Sequence, residues 1–438
     1  MRNYILTSLL LLSVHLLPAQ QFKKISLREA FDLATESSKQ LQTDDLKKQA
    51  LDIKKKQTQN AMLPVLGVSS SYSRISNNID PFTIALPGLG AFTLNPIILN
   101  QYNNRFYLQQ PVFSGLRNWN TLKALKFQQM AIDFDIQKDK EDAKWNVAQV
   151  YYTLFKLYQT NILLDSSIAQ TQARVEDVSR FKNVGLALNN DVMRAELQKT
   201  NLLVNKADVE SAIEITNFNL CLLLGLDTKT IIEVEGPEVF IFSTANIDDL
   251  ITASFSNRAD LKAQEARTDA ANYAIKASKS AYLPTLNFIA DGYVNNPNQR
   301  VFPQEAKFKA TWDIGVSMNW NILQLYTARA VVNESTNQKA QIQKVTEQLK
   351  EGIQMEVNAN YEAFKVALLK IDLAKKAIEQ SAENKRILDN RFVAQVALLT
   401  DVLEADQLLL QAETQLLNAQ ADAALVNYKL QKSLGAIK

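Results

Sequence analysis

Histidine, cysteine, glycine and proline are all scarce in this chain. Its 438 residues include one His, one Cys, 11 Gly and 10 Pro. The one histidine, His15, lies inside an apolar N-terminal run. That scarcity removes His-based acid–base chemistry, Ser-His-Asp and Cys-His nucleophiles, and His- or Cys-built zinc sites. With one cysteine, no disulfide can form within the chain, and Cys221, set in Leu220-Cys221-Leu222-Leu223-Leu224, reads as a core thiol. Glycine and proline punctuate turns and break helices, so their shortage predicts few, long elements. Charge of one sign is lacking too: 48 basic residues stand against 46 acidic ones, a net +2 that gives nucleic acid no field to follow. The densest basic run, Lys54-Lys55-Lys56, reads as a solvated helix face. No convergent acid pair appears, so no catalytic, cofactor-binding or metal residue is nominated and an enzyme is not expected.

Residues 1–20 read as a secretory signal peptide. Met1-Arg2-Asn3 is a short positive start, Tyr4 to Leu17 an apolar stretch, and Pro18-Ala19-Gln20 a small-residue exit with cleavage expected near Ala19 or Gln20. No cysteine stands there to carry a lipid. Elsewhere no apolar run reaches the ~18 residues of a transmembrane helix, which excludes a helical inner-membrane protein.

The rest of the chain is one unit written twice. Asn60-Ala61-Met62-Leu63-Pro64-Val65-Leu66 lies on Ser280-Ala281-Tyr282-Leu283-Pro284-Thr285-Leu286 at a constant offset, which also aligns Ser26, Leu41 and Ala50 with Asn246, Leu261 and Ala270. After a shorter loop in the second copy, a second offset aligns Val147 and Tyr151 with Val357 and Tyr361, Asp191-Val192 with Asp401-Val402, and Leu224-Gly225 with Leu434-Gly435. The expected repeats are 21–236 and 237–438. Each opens on a capped helix: Ser26 with Glu29 forms a capping-box pattern, and Asn246 with Asp249 stands at the matching place. Pro64 and Pro284 push the preceding residue out of helical space, so both helices end there.

Past each proline the hydrophobic period changes from 3.6 to 2. Strands are expected at about 65–75 and 103–113 in the first repeat, and at about 285–295 and 308–322 in the second. In the last of these, Phe308, Ala310, Trp312, Ile314, Val316, Met318 and Trp320 alternate with polar residues. Alternation alone fits a soluble sandwich as well as a barrel. Aromatic residues near strand ends, namely Tyr72, Phe106, Tyr107, Tyr293, Trp312 and Trp320, are similar to the interfacial girdle of a transmembrane barrel.

Long helices then follow, at 116–182 and 324–393. From Leu116 to Val184 there is neither glycine nor proline, enough for a helix on the order of 100 Å. Val147, Val150, Leu154, Leu157, Asn161, Leu164 and Ile168 step by threes and fours, a coiled-coil seam matched by Val357, Asn360, Phe364, Ala367, Ile371, Ala374 and Ile378. Return helices are expected at 191–224 and 401–434, so Gly185 and the stretch 394–400 are tips of helical hairpins. Each short helix before the strands can stack end to end with a return helix. Ile231–Val234 and Val239–Phe242 suggest strands of a small mixed layer. Gly352, inside the second long helix, predicts a bend or close packing.

Four membrane-type strands cannot stand alone in lipid, because open edges leave backbone groups unpaired. Several copies must close the barrel. Two would give eight strands with a filled interior, and three would give twelve with room for a lumen.

The duplicated helix–Leu-Pro–strand junctions, Gln110-Pro111-Val112-Phe113, Arg180-Phe181-Lys182-Asn183-Val184-Gly185-Leu186, the paired Asp-Val motifs and the Leu-Gly endings together resemble the TolC-like outer-membrane efflux factors. The resemblance spans residues from about 26 to 436. It implies a mainly α protomer with β structure in a homotrimeric channel, built of a twelve-stranded β-barrel in outer-membrane lipid, a coiled-coil α-barrel and an equatorial mixed domain. It also implies a periplasmic adaptor docked at the tips and an inner-membrane pump. Carried over by position, Val184, Gly185, Leu186 and Ala187 form the adaptor-docking tip, with Gln395 and Val396 in the second copy. Gln395 stands where the first copy has Gly185, which itself also serves as a helix-breaking glycine. Asp389 is the match to the acidic residues that narrow the periplasmic entrance, and Arg386, a turn earlier, departs from that pattern. Asp191 and Asp401 are expected to serve helix N-termini. The competing reading is a periplasmic coiled-coil rod or adaptor with a soluble β domain.

Overall fold

The computed structural model describes residues 22–237 and 246–437. The signal-peptide expectation and the strand expected at Val239–Phe242 lie outside them. In chain order the elements are β1 (Phe22–Ile25), α1 (Leu27–Ser37), α2 (Lys39–Asn60), β2 (Val65–Arg74), β3 (Phe82–Leu86), β4 (Gly90–Asn95), β5 (Asn100–Phe113), α3 (Arg117–Asn183) and α4 (Asn189–Leu224). They continue with β6 (Ile231–Val234), α5 (Ile247–Asn257), α6 (Ala259–Ser278), β7 (Thr285–Asn295), β8 (Lys309–Asn319), α7 (Gln324–Val393) and α8 (Leu399–Ser433). A short 3-10 turn, Lys279–Tyr282, joins α6 to β7. The described residues form two compact units, one of residues 22–44, 134–237, 246–261 and 348–437, the other of residues 45–133 and 262–347.

The first unit is a helical hub with a small parallel strand pair. β6 was foreseen; its partner β1 was not, and the two run parallel with Phe22 opposite Ile231 and Ile25 opposite Val234. Ile25, Val147, Tyr151, Leu154, Leu220 and Ile232 are buried together around them. The Tyr151 hydroxyl donates to the Ile25 carbonyl at 2.8 Å and accepts the Glu235 N–H at 2.7 Å. Burial pushes its pKa up to about 12, so it stays a donor at any ordinary pH. Cys221 belongs to the same core, and its thiol donates to the Thr230 carbonyl at 3.3 Å. The seam positions on α3 and α7 are all buried or half-buried, with Val147, Leu154, Val357 and Phe364 among the most enclosed.

Two glycine-ended helices meet two helix junctions in this unit. At the end of α4, Gly225 takes φ +68°, and a Cβ there would lie 2.6 Å from that of Ser37. The Ser37 hydroxyl donates to the Leu223 carbonyl at 2.9 Å. Beyond α8, Gly435 takes φ +65° with the Arg258 backbone nitrogen 2.9 Å from its would-be Cβ, and Arg258 Nη1 donates to the Ser433 carbonyl. Positive φ and close backbone approach both demand glycine here. The Leu-Gly endings are thus the joints at which return helices abut the α1–α2 and α5–α6 junctions.

Several local expectations change. Ser26 accepts the Glu29 N–H at 3.3 Å, but the Glu29 carboxylate pairs with Lys23 at 3.1 Å instead of closing a capping box. α7 runs unbroken through Gly352, and a Cβ there would meet nothing within 4 Å, so close packing is not what places that glycine. The loop between the first two long strands contains an antiparallel hairpin, β3–β4, with Ile84 opposite Phe92.

The second unit holds a four-stranded antiparallel sheet in the order β2-β5-β7-β8. β2 and β5 pair from Val65–Gln109 to Arg74–Asn100, and β7 and β8 from Thr285–Asn319 to Asn295–Lys309. Among the described residues, neither outer edge, on β2 or on β8, has a strand partner.

Candidate functional site

The sheet in the second unit is inside out by the standard of a water-soluble domain. Register groups Leu66, Val68 and Tyr72 with Phe106, Leu108, Phe288, Ala290, Ile314, Val316 and Met318 on one face. On β8 that apolar face is the open one: Trp312 is 75% exposed and Val316 70%, whereas the alternating Lys309, Thr311, Asp313 and Ser317 are half-buried. The polar face carries its own charge pairing. Arg105 grips Asp291 with two hydrogen bonds, at 2.9 and 2.8 Å, and Arg300 pairs with Asp313 while its guanidinium lies 4.4 Å from the Tyr293 ring centre.

The register divides the aromatic set. Tyr72, Phe106 and Trp312 stand on the apolar face, and Trp320, just past β8, donates its indole N–H to the Tyr282 carbonyl at 3.3 Å. Tyr107 and Tyr293 stand on the polar face, beside Arg105 and Arg300. Side chains of consecutive strand residues point to opposite faces, so Phe106 and Tyr107 cannot share one. Tyr107 instead lies flat over Gly67, where a Cβ would come 2.3 Å from the ring.

The helical tips, in the first unit, share one backbone design despite different residues. Gly185 has φ +79° and Gln395 φ +59°. Leu186 N–H reaches back to the Phe181 carbonyl at 2.8 Å and Gly185 N–H to Lys182; Val396 N–H reaches Arg391 at 2.9 Å and Gln395 N–H reaches Phe392. These are paired Schellman endings, one of which holds a non-glycine residue in left-handed space. After each turn a leucine, Leu188 or Leu398, leads into the return helix in extended conformation. The Asp191 carboxylate accepts the Leu188 N–H at 2.9 Å, and Asp401 lies in the first turn of α8. Beneath the turns, Phe181 and Phe392 meet at 5.7 Å over a core of Val178, Val192, Ala195, Leu399 and Val402. Val184, Leu186, Leu188, Val393, Val396 and Leu398 are left exposed, and Ala187 is half-buried against the core.

Asp389 and Arg386 do not act together. Arg386 is exposed and pairs with Glu383 on its own helix through two hydrogen bonds, at 2.8 and 2.6 Å. Asp389 joins a four-charge cluster with Arg174, Lys385 and Asp406, drawn from α3, α7 and α8. The Arg174 guanidinium also lies 5.5 Å from the Phe392 ring centre, which ties the cluster to the tip core. Arg174, Lys385 and Asp406 were missed in the sequence because they are single charges on three separate helices.

Among the described residues no helix is long and apolar enough to cross a membrane, and no group of His, Cys, Asp and Glu could hold a metal ion. Comparison with known proteins gives consistent matches. Residues 250–436 match the family described as outer membrane efflux protein. The chain is 20% identical over 341 residues to the outer membrane efflux protein BepC of Brucella suis biovar 1 (strain 1330), covering 75% of this chain and 71% of that one. It is 19% identical over 421 residues to the outer membrane protein TolC of Salmonella enteritidis, covering 94% and 82%. The solved structure of the outer-membrane channel OprN superimposes with a TM-score of 0.76 at 14% identity, covering 94% of this chain and 90% of that one. The chain matches the TolC-like outer-membrane efflux family. At these identities the structural likeness speaks for the fold of this family: a mixed α/β protomer with a small sheet and long helical hairpins.

Proposed function

We propose that the chain is one protomer of a homotrimeric outer-membrane exit duct. The observation that carries this reading is β8, whose apolar side is open while its polar side is half-buried, on the sheet face that also holds the Arg105–Asp291 pair. A sheet in water places those faces the other way. Its unpaired edges belong to an antiparallel series, so β8 of one copy can pair with β2 of the next, and three copies of a four-stranded sheet close a twelve-stranded barrel with a lumen. The helices also leave surface for neighbours. Met193, Leu197, Val204, Ile215, Phe218 and Leu222 on α4 and Met355, Val366, Leu369 and Leu373 on α7 are exposed apolar residues. Their spacing of threes, fours and multiples suits helix-to-helix packing between copies in an α-barrel.

In this reading Tyr72, Phe106, Trp312 and Trp320 meet outer-membrane lipid, while Tyr107 and Tyr293 line the polar interior with Arg105 and Arg300. The exposed Val184, Leu186 and Val396 around Gly185 and Gln395, with the half-buried Ala187, dock a periplasmic adaptor linked to an inner-membrane pump. Asp389 lies at the periplasmic entrance, where its cluster with Arg174, Lys385 and Asp406 braces the narrow end, and Arg386 stays on the outer surface. The tandem repeats 21–236 and 237–438 each supply two barrel strands and one helical hairpin, behind a signal peptide at 1–20. The protein performs no chemistry on its cargo; it provides walls.

Mass measurement in detergent together with conductance across a planar bilayer tests the duct. A trimeric mass and discrete conductance steps are expected. A protein that stays soluble without detergent, monomeric and non-conducting, would instead be a periplasmic rod.

A further inference from the structure

The two loops at the far end of the sheet differ in kind. The β7–β8 loop is charged: Arg300 pairs with Asp313, and Glu305 with Lys307 and Lys309. The β2–β5 loop, by contrast, has no charged residue anywhere between Asp80 and Arg105. Within it β3 and β4 form a hairpin in which Ile84 faces Phe92, Leu86 faces Gly90, and Thr83 faces Thr93. Phe82, Ile84, Leu86 and Phe92 are exposed, and Leu89 at the turn is 71% exposed. The opposite face, of Thr83, Ala85, Ala91 and Thr93, is small and uncharged.

The hairpin follows on from one end of the sheet. It grows from the Arg74–Asn100 end of β2 and β5, and the Ile75 N–H extends that pairing to the Leu99 carbonyl at 2.9 Å. The ring contacts Tyr72–Tyr102, at 5.0 Å, and Tyr102–Phe308, at 5.6 Å, stand at this same end. An apolar protein interface is ordinarily framed by a polar or charged rim that fixes its partner's orientation. Among its described side chains this hairpin carries no charge on either face or at its turn, and its polar groups are the Thr83 and Thr93 hydroxyls. Its surface asks for an apolar medium, with no feature that would choose a particular partner.

We infer that the β3–β4 hairpin lies in the boundary layer of the membrane, with Phe82, Ile84, Leu86, Leu89 and Phe92 set among lipid chains as an extension of the barrel's outer surface. The inference rests on the barrel reading above. It divides the two loops by surroundings: the charged β7–β8 loop stays in water, and the uncharged hairpin leans into lipid.

The test uses the full protein in phosphatidylcholine–phosphatidylglycerol vesicles, with an environment-sensitive fluorophore on an introduced cysteine. Cys221 is fully buried, so labelling of the native protein spares it. Probes at Leu89→Cys, Lys307→Cys and Val316→Cys are compared. The expected result is a blue-shifted Leu89 probe, quenched by nitroxide-bearing lipid chains and several-fold less sensitive to aqueous iodide than the Lys307 probe. Iodide quenching at Leu89 equal to that at Lys307 overturns the inference. Protection from both quenchers also overturns it, and assigns the hairpin to a contact with a second copy of the chain. The Val316 probe reports on the barrel reading separately: if it too escapes lipid quenching, that reading fails first. Should Leu89→Cys fail to fold, Phe92→Cys reports on the same hairpin.

Discussion

The helical hub around Tyr151 and the four-stranded sheet use the same residue types with opposite sense. In the hub, Ile25, Leu154, Leu220 and Ile232 point inward and are closed off from solvent. In the sheet, Trp312, Ile314, Val316 and Met318 on β8 are exposed, and on the opposite face Asp291 is buried beside Arg105 and Tyr293. The hub satisfies the demands of water: apolar area is withdrawn, and the buried Tyr151 hydroxyl and Cys221 thiol both find backbone partners. The sheet satisfies those demands only if hydrocarbon lies outside and water inside. In the proposed barrel, fold stability in the two regions answers to two different solvents.

The strongest test of that contrast is a charge on the open face. Ile314→Arg is expected to cost about 2–4 kcal/mol in lipid, the penalty for a cation near the middle of a barrel wall. Denaturant titration in vesicles measures it, with Ser317→Arg on the polar face as the tolerated counterpart. If both charges were equally harmless, the sheet would not face lipid. In the hub, Tyr151→Phe removes the partner of the Glu235 N–H and one partner of the Ile25 carbonyl, at a cost of about 1–3 kcal/mol in chemical unfolding.

Smaller effects are expected at the tips. Gly185→Ala should weaken its turn by about 1 kcal/mol, since φ +79° suits glycine and penalises a Cβ. Gln395→Gly, at φ +59°, should strengthen the second turn by a fraction of that. Hydrogen exchange at the Leu186 and Val396 amides, which close the two turns, reads both changes. Equal responses at the two sites would mean that the turns are not held by the same backbone device.

The smallest effect is electrostatic. Burial works against ionisation of Asp142, yet hydrogen bonds from Lys138 and Lys432 hold its carboxyl below the usual carboxylate range. Because its folded value is depressed, the stabilisation is complete above the ordinary carboxylate range and is lost as pH falls through the folded value. Lys432→Ala should therefore lower Tm near pH ~7, with the difference shrinking toward pH ~3. A deficit that stayed constant with pH would assign Lys432 a packing role alone.

Legibility in the sequence followed the length scale of each signal. The long helices and the four sheet strands could be read because period and proline placement persist over many residues; α3 and β8 are examples. β1 could not, since Phe22-Lys23-Lys24-Ile25 is too short to show alternation and its partner lies far along the chain. The hairpin was hidden because Pro87-Gly88 and Gly90 interrupt any period between β3 and β4. The face to which Tyr107 belongs was readable from its place beside Phe106. The left-handed turn at Gln395 was not, because local propensity disfavours it; backbone hydrogen bonds to Arg391 and Phe392 close it over the packed Phe181–Phe392 pair.

By itself the sequence determined the shortage of breakers and reactive side chains, and with it long helices, duplicated hairpins and an absence of the usual catalytic groups. Those features follow from local sterics and periodicity, which each short window carries with it. Tertiary structure alone decided which face of the sheet is open, that Arg174, Lys385, Asp389 and Asp406 come together, and that Gly225 and Gly435 are joints. Each of these depends on segments far apart in the chain meeting in space, and no local pattern encodes such a meeting.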